Sequence, residues 1–99
     1  MPLDPLIHAP VRLEIISVLA VNEQVEFTFL RSLTQTTDGN LASHLRRLED
    51  AGYVEVEKRF VGRRPQSLYR LTKAGRDAFE RYVDALEALL PPRNRLEEG

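Results

Sequence analysis

Cysteine is absent from this chain of 99 residues, and histidine occurs only twice, as His8 and His44. The lack of cysteine excludes disulfides, thiol catalysis and thiolate metal ligands, and it is compatible with a reducing cytoplasm. Two histidines are too few for a His-rich metal site within one chain. The longest apolar run, Ile15 to Val21, is interrupted by Ser17 and is far too short to span a bilayer. We therefore expect a cytoplasmic protein without a membrane segment, a secretory signal, a metal or another cofactor.

The chain does contain enough apolar sequence for one core, together with a basic middle region. Its 42% apolar content and its length suit a single domain over residues 1–99. The net charge is only −1, but residues 30–70 carry eight Arg or Lys against five Asp or Glu, while both flanking regions are acidic. A local basic face on a near-neutral protein indicates contact with an anionic partner such as nucleic acid.

Apolar periodicity and capping residues predict four helices. The helices are expected from Pro10 to about Val21, from Phe29 to Thr34, from Asp38 to about Ala51 and from Lys73 to about Leu90. The expected N-caps of the last three are Thr28, Thr37 and Thr72, and the expected stop of the third helix is Gly52.

Alternating apolar and charged residues predict strands between these helices. A short strand is expected over Val25 to Phe27, and a hairpin is expected from the strands at 54–60 and 66–71 with a turn at 61–65. Residues 91–99 follow as a flexible tail, because Pro91 and Pro92 end the last helix. The resulting fold class is α+β, mainly α, in the order helix, strand, helix, helix, strand, strand, helix, which is that of a winged helix.

The segment from Thr37 to Val54 resembles the recognition-helix region of small winged-helix transcriptional regulators of the MarR/ArsR-like type. The resemblance continues through the basic hairpin at 59–65 and through Tyr-Arg-Leu-Thr-Lys-Ala-Gly-Arg at 69–76, and it covers about residues 4–90. It implies a winged helix-turn-helix that regulates transcription. This chain departs from the pattern in two ways: it lacks the Cys ligands frequent in ArsR-type metal sensors, and only its ends are available for the dimerisation helices of MarR-type proteins. The resemblance therefore implies a minimal regulator whose signal is unspecified.

The third predicted helix is expected to place leucines inward and polar residues on DNA. Leu41, Leu45 and Leu48 lie at i, i+4 and i+7, so the opposite face is free to enter a major groove. There, Asn40 suits adenine, and Arg46 or Arg47 suits guanine. The expected DNA contacts of the helix and the preceding turn are Thr36, Thr37, Gly39, Asn40, Ser43, His44, Arg46 and Arg47. The alternative is a merely solvated helix face, and for His44 a structural role stays open beside a phosphate contact.

The predicted hairpin carries four cations close together. Lys58, Arg59, Arg63 and Arg64 are expected to reach a minor groove or the phosphates beside it. The alternative is a hairpin whose charges only keep a sheet edge soluble.

The last helix shows more apolar surface than one small core needs. We expect residues 73–90 to form a dimerisation helix, with contributions from the N-terminal segment. The expected interface residues are Leu3, Leu6, Ile7, Phe79, Tyr82, Val83, Leu86, Leu89 and Leu90. The alternative is that this helix folds entirely onto its own domain.

These features predict a homodimeric, sequence-specific regulator that binds double-stranded DNA at an inverted repeat. An unidentified small-molecule effector in a dimer cleft is compatible with this prediction, while the operator, the regulated genes and the direction of regulation are left open. The alternative is a winged helix used only for protein interactions, which the arginines of helix and hairpin disfavour. An enzyme is not expected, because the sequence assembles no paired acid and base, no phosphate loop and no nucleophile with a histidine partner.

Overall fold

The computed structural model describes residues 3–93, and over this range it confirms the predicted winged-helix order. The elements are α1 (Pro10–Ala20), β1 (Val25–Glu26), α2 (Phe27–Thr34), α3 (Asp38–Asp50), β2 (Val54–Val61), β3 (Arg64–Leu71) and α4 (Lys73–Leu89). The three strands form one antiparallel sheet in the order β1-β3-β2. None of these helices combines the length and the apolar character that crossing a membrane requires. The expected tail lies outside the described residues except for 91–93.

The main core lies between the first three helices and the sheet. Leu41, Leu45 and Leu48 of α3 are buried, as their spacing predicts. They pack with apolar residues of α1 and α2 and with Val54 and Tyr69 of the sheet. Because α3 is anchored through one stripe of leucines, its opposite side is left to solvent.

The ends of α3 follow from identifiable backbone chemistry. Thr37 caps the N-terminus, since its Oγ1 accepts a hydrogen bond from the Asn40 amide at 3.1 Å. At the other end Gly52 adopts φ +78°, and the amides of Gly52 and Tyr53 donate to the carbonyls of Glu49 and Leu48. This pair of bonds is a Schellman motif, in which glycine takes the left-handed position at little cost. The predictions for Thr37 and Gly52 are confirmed.

The start of α4 is fixed against the end of α3 by a close approach of two backbones. Thr72 is the N-cap, as predicted, and its Oγ1 accepts from the Gly75 amide at 3.0 Å. A Cβ at Gly75 would lie 2.1 Å from the Tyr53 carbonyl oxygen, so only glycine fits there. The Thr72 amide also donates to that carbonyl, at 3.0 Å. These contacts set the direction in which α4 leaves the domain.

Two boundary predictions are wrong. Thr28 does not cap α2, because the helix already begins at Phe27 with Glu26 in extended conformation before it. Instead the Thr28 hydroxyl donates to the Glu26 carboxylate at 3.1 Å, and β1 ends at Glu26. The hairpin turn is also shorter than 61–65, because β2 and β3 stay paired as far as Val61 and Arg64. A two-residue connection then requires the left-handed φ of +64° that Gly62 adopts.

Candidate nucleic-acid interface

The exposed side of α3 collects the polar residues that the sequence assigns to DNA. Gly39, Asn40, Ser43, Arg46 and Arg47 are all exposed, on the side of the helix that faces away from the buried leucines. The amide, hydroxyl and guanidinium groups among them include the side chains that pair best with adenine and guanine in the major groove. The structure thus brings these predicted residues together on one surface.

Polar contacts hold the turn before α3 against α2. The Thr36 and Thr34 hydroxyls are hydrogen-bonded at 2.9 Å, and Arg31 forms a salt bridge with Asp38 at 3.4 Å. The Thr37 oxygen accepts the capping bond, so its hydroxyl proton stays available to donate to a phosphate. Of the two DNA contacts predicted in this turn, Thr37 is exposed and Thr36 is half-buried.

The wing, defined as residues 58–67 at the end of the β2–β3 hairpin, presents its cations to solvent. Lys58, Arg59, Arg63 and Arg64 are all exposed. Within residues 3–93 none of the four lies within salt-bridge distance of a carboxylate, whereas Arg70 at the base of the hairpin pairs with Glu55 at 2.6 Å. Arg59 does donate to the side-chain oxygen of Gln66 across the hairpin, at 2.8 Å. Cations without a carboxylate partner are the kind that bind phosphates with release of counterions.

Helix α3 and the wing share one concave surface. A depression between them is lined by Ala42, Arg46, Glu49 and Asp50 of α3, by Val56 and Lys58 of β2, and by Tyr69 of β3. Arg46 and Lys58 therefore border the same hollow, with the carboxylates of Glu49 and Asp50 toward the C-terminal end of α3. The hollow therefore has mixed charge, and its two carboxylates lie about one helical turn beyond Arg46.

The sequence did not identify a buried arginine behind the recognition face, the exposed side of α3 that carries Asn40, Ser43, Arg46 and Arg47. Arg12 of α1 is only 8% exposed, its Nε donates to the Leu6 carbonyl, and its guanidinium Nη1 lies 3.0 Å from His44 Nδ1. A guanidinium only donates, so Nδ1 accepts and the ring proton of neutral His44 sits on Nε2. Burial, then Arg12 and then Arg47 lower the pKa of His44. The sequence does show that Arg12 is a charged residue on the apolar side of α1. It does not reveal the partner, because His44 lies 32 residues further along the chain.

A family model described as a winged helix DNA-binding domain matches residues 11–90 of the chain. The chain belongs to this family. The match covers the three core helices, the whole sheet and α4, so this winged-helix domain includes both surfaces described above. The resemblance inferred from the sequence is confirmed at this level.

This winged-helix domain is similar to several individual proteins. The uncharacterized protein MJ0432 of Methanocaldococcus jannaschii is 36% identical over 78 residues, which are 79% of this chain and 85% of that protein. A transcriptional regulator homologue from Pyrococcus horikoshii OT3 has a TM-score of 0.77 and 31% identity, with 85% of this chain and 83% of that chain covered. Reduced AbfR, solved bound to DNA, shares the fold at 22% identity and a TM-score of 0.71, over 82% of this chain and 56% of that one.

The residues predicted for a dimer interface divide into two groups in the structure. Ile7 and Tyr82 are buried with Ala78 in a second cluster, and His8 Nδ1 lies 2.8 Å from the Tyr82 hydroxyl. Ile7 and Tyr82 are thereby corrected to core residues, because their own chain already covers them. The partly buried residues that pack on the domain's own clusters are Leu3, Leu6, Phe79 and Leu86. The predicted residues that stay exposed are Val83, in the second half of α4, and Leu89 and Leu90 at its C-terminal end.

Proposed function

We propose that this winged-helix protein is a sequence-specific regulator of transcription that binds double-stranded DNA as a homodimer. The observation that carries the proposal is that the polar side of α3 and the cations of the wing are both exposed, with Arg46 of α3 and Lys58 of the wing on the border of one hollow. One duplex can contact both elements at once, the helix in a major groove and the wing at the adjacent minor groove.

The two elements have different chemistry and therefore different proposed tasks. Asn40, Arg46 and Arg47 can form bidentate contacts with base edges, so α3 supplies the choice of sequence. Arg63 and Arg64 extend from the wing without carboxylate partners among the described residues, so the wing supplies charge and sensitivity to groove width. Thr37 donates to a phosphate and fixes the register of the helix.

The homodimer is supported by apolar surface that the monomer leaves uncovered. Leu89 and Leu90 are 62% and 56% exposed at the end of α4. A second apolar depression runs along α1, and Leu13, Val18, Val21 and Leu33 contribute to its lining. Two such areas on a small domain suit a twofold contact, in which each copy offers the same surface to the other.

The relatives support the regulatory part of the proposal. The similar protein of Pyrococcus horikoshii is described as a transcriptional regulator homologue, and AbfR presents the same fold in a DNA-bound structure. A protein-interaction module would be expected to have a neutral recognition face, whereas this one carries Arg46 and Arg47.

The experiment that tests this function is selection of bound duplexes from a random pool, followed by salt titration of the enriched sequence. We expect one enriched inverted repeat, with an affinity that falls steeply as salt rises. A pool without any enriched sequence, bound equally to a scrambled duplex, would contradict sequence-specific binding. The control is the Arg46→Ala, Arg47→Ala double variant, which keeps the leucine stripe intact and should lose the enrichment.

A further inference from the structure

Two apolar side chains in the wing are largely exposed to solvent. Phe60 is 72% exposed and Val61 is 56% exposed, although both belong to a paired strand. A large aromatic side chain left in water forgoes about 1.5–3 kcal/mol of burial, so an exposed Phe in an ordered hairpin calls for an explanation by function. The positions of the two residues on the hairpin show that only Phe60 is placed to serve the proposed interface.

Phe60 lies on the face of the hairpin that looks toward α3. Side chains alternate along a strand, so Phe60 shares its face with Val56 and Lys58, whereas Val61 points to the opposite face. Val56 and Lys58 line the hollow that includes Arg46 of α3. Phe60 therefore follows Lys58 outward along the same surface, about 7 Å further at the usual rise of a strand.

A proline gives Phe60 a rigid apolar neighbour. Pro65 is the register partner of Phe60 across the hairpin, so the two side chains stand side by side on one face. Pro65 is also exposed, and its ring fixes the backbone of β3 near the start of the strand. The register thus places two apolar residues next to each other on this face.

The surroundings of this pair indicate an anionic occupant. Lys58 and Arg59 precede Phe60, while Arg63 and Arg64 follow it, and none has a carboxylate partner among the described residues. By the alternation along the strands, Lys58 shares the face of Phe60, whereas Arg59 and Arg64, the register partner of Val61, point to the opposite face. An apolar side chain in a wing this basic is poorly suited to a second copy, whose own wing would bring the same charges. It is well suited to the minor groove, where phosphates flank base edges and apolar wedges enter between base steps.

We propose that Phe60, backed by Pro65, is a minor-groove wedge that partly unstacks one base step in the flank of each half-site. This inference rests on the proposed DNA-binding function and adds a way of reading sequence without hydrogen bonds. Pyrimidine–purine steps such as TA and CA unstack most easily, so the wedge selects flanks that contain one. It acts together with the cations at the tip of the wing, which bind the neighbouring phosphates.

The test measures base unstacking directly. The adenine analogue 2-aminopurine, whose fluorescence rises on unstacking, is placed in turn at each flank position of the selected duplex. The full chain should raise the fluorescence at one step per half-site, and Phe60→Ala should abolish that rise. The variant should also bind a TA-containing flank about tenfold more weakly. Its salt dependence should match that of the original chain, since no charge is removed.

Val61→Ala is the matched control, because Val61 is the exposed apolar neighbour on the opposite face of the same strand. It should keep both the fluorescence change and the affinity, and Phe60→Leu should keep most of both. Equal fluorescence and affinity for Phe60→Ala and the original chain would contradict the wedge while leaving sequence-specific binding intact. Weaker self-association of Phe60→Ala in the absence of DNA would also overturn it, by assigning Phe60 to a contact between copies. A failure of the original chain to select any duplex would instead contradict the proposed function.

Discussion

His44 links the recognition face to the core through one hydrogen bond. Its Nδ1 accepts from buried Arg12, whose Nε is held in turn by the Leu6 carbonyl. The N-terminal segment that carries Leu6 is itself fixed, because the Asp4 carboxylate accepts from the Tyr53 hydroxyl at 2.7 Å. The chain of contacts fixes the His44 ring on α3, and it leaves the Nε2 proton of neutral His44 free to donate.

The stability of the domain should depend on pH through His44. Burial and the charges of Arg12 and Arg47 hold its pKa below the ordinary value of 6.5, so the unfolded chain binds the proton more tightly than the folded one. The contribution of neutral His44 to the free energy of unfolding is therefore fully present above about pH 6.5. It is lost as the pH falls through the lowered pKa of His44 in the folded chain. His44→Asn keeps an acceptor for Arg12 but cannot titrate. Urea unfolding between about pH 7.5 and pH 5.5 should show that the original chain loses more stability than this variant. Parallel losses in both proteins would contradict the assignment.

Helix α3 and the wing are different kinds of element, so substitutions in them should change DNA binding in different ways. Replacing Arg46 or Arg47 by Ala should cost about 1–3 kcal/mol on the selected duplex and relax the choice at one position of each half-site. Replacing Arg63 and Arg64 together should weaken cognate and scrambled duplexes alike and lower the salt slope by about one to two units per subunit. Arg81→Ala on α4 is the control for loss of one exposed cation and should change neither quantity. Equal losses on both duplexes for the α3 variants would contradict the division of tasks.

The elements that sequence predicts well here are those set by local chemistry. The spacing of Leu41, Leu45 and Leu48 identifies the buried side of α3, and Thr37, Gly52 and Thr72 mark helix ends because their caps involve residues only a few positions away. The same helical spacing predicts which residues lie on the exposed face of α3. The prediction of the cationic hairpin likewise depends only on alternation and on a glycine in the turn.

The features that sequence misplaced or missed depend on contacts between distant residues. The predicted short strand is present, with Val25 paired to Tyr69, but it ends at Glu26 and α2 begins directly behind it at Phe27. No local pattern distinguishes a Tyr82 that fills the domain's own core from one that meets a partner. That outcome is decided by Ile7, which the N-terminal segment brings against α4.

At the scale of the whole molecule, the end of α4 is an apolar surface that the described residues leave exposed, at Leu89 and Leu90. Leu89→Asp should dissociate the proposed dimer, because a twofold contact would bury two carboxylates without partners. Leu89 is chosen over Leu86 because Leu86 packs on the domain's own second cluster, so a charge there would also disturb the fold. Light scattering should give a monomer for Leu89→Asp and a dimer for the original chain. Val61→Asp, at another exposed apolar position away from α4, should remain dimeric. An original chain that is already monomeric at tens of micromolar, roughly the range of a weak dimer, would contradict the interface.

A twofold homodimer presents two recognition helices in opposite senses, so its operator should be an inverted repeat. The half-site centres should lie about one helical turn apart, roughly 10–11 base pairs, or a small multiple of that distance. The wings then fall outside the helices, where Arg63 and Arg64 favour the narrow minor groove of A·T-rich flanks.

The most direct test of this arrangement is the affinity for the selected operator after insertion of about five base pairs at its dyad, half a helical turn. The insertion turns one half-site to the opposite face of the duplex, so a dimer can hold only one half and tight binding should be lost. An operator with the same number of dyad base pairs substituted rather than inserted is the control, and it should keep most of its affinity. Unchanged affinity after the insertion would mean that the subunits bind independently and would contradict the dimeric regulator.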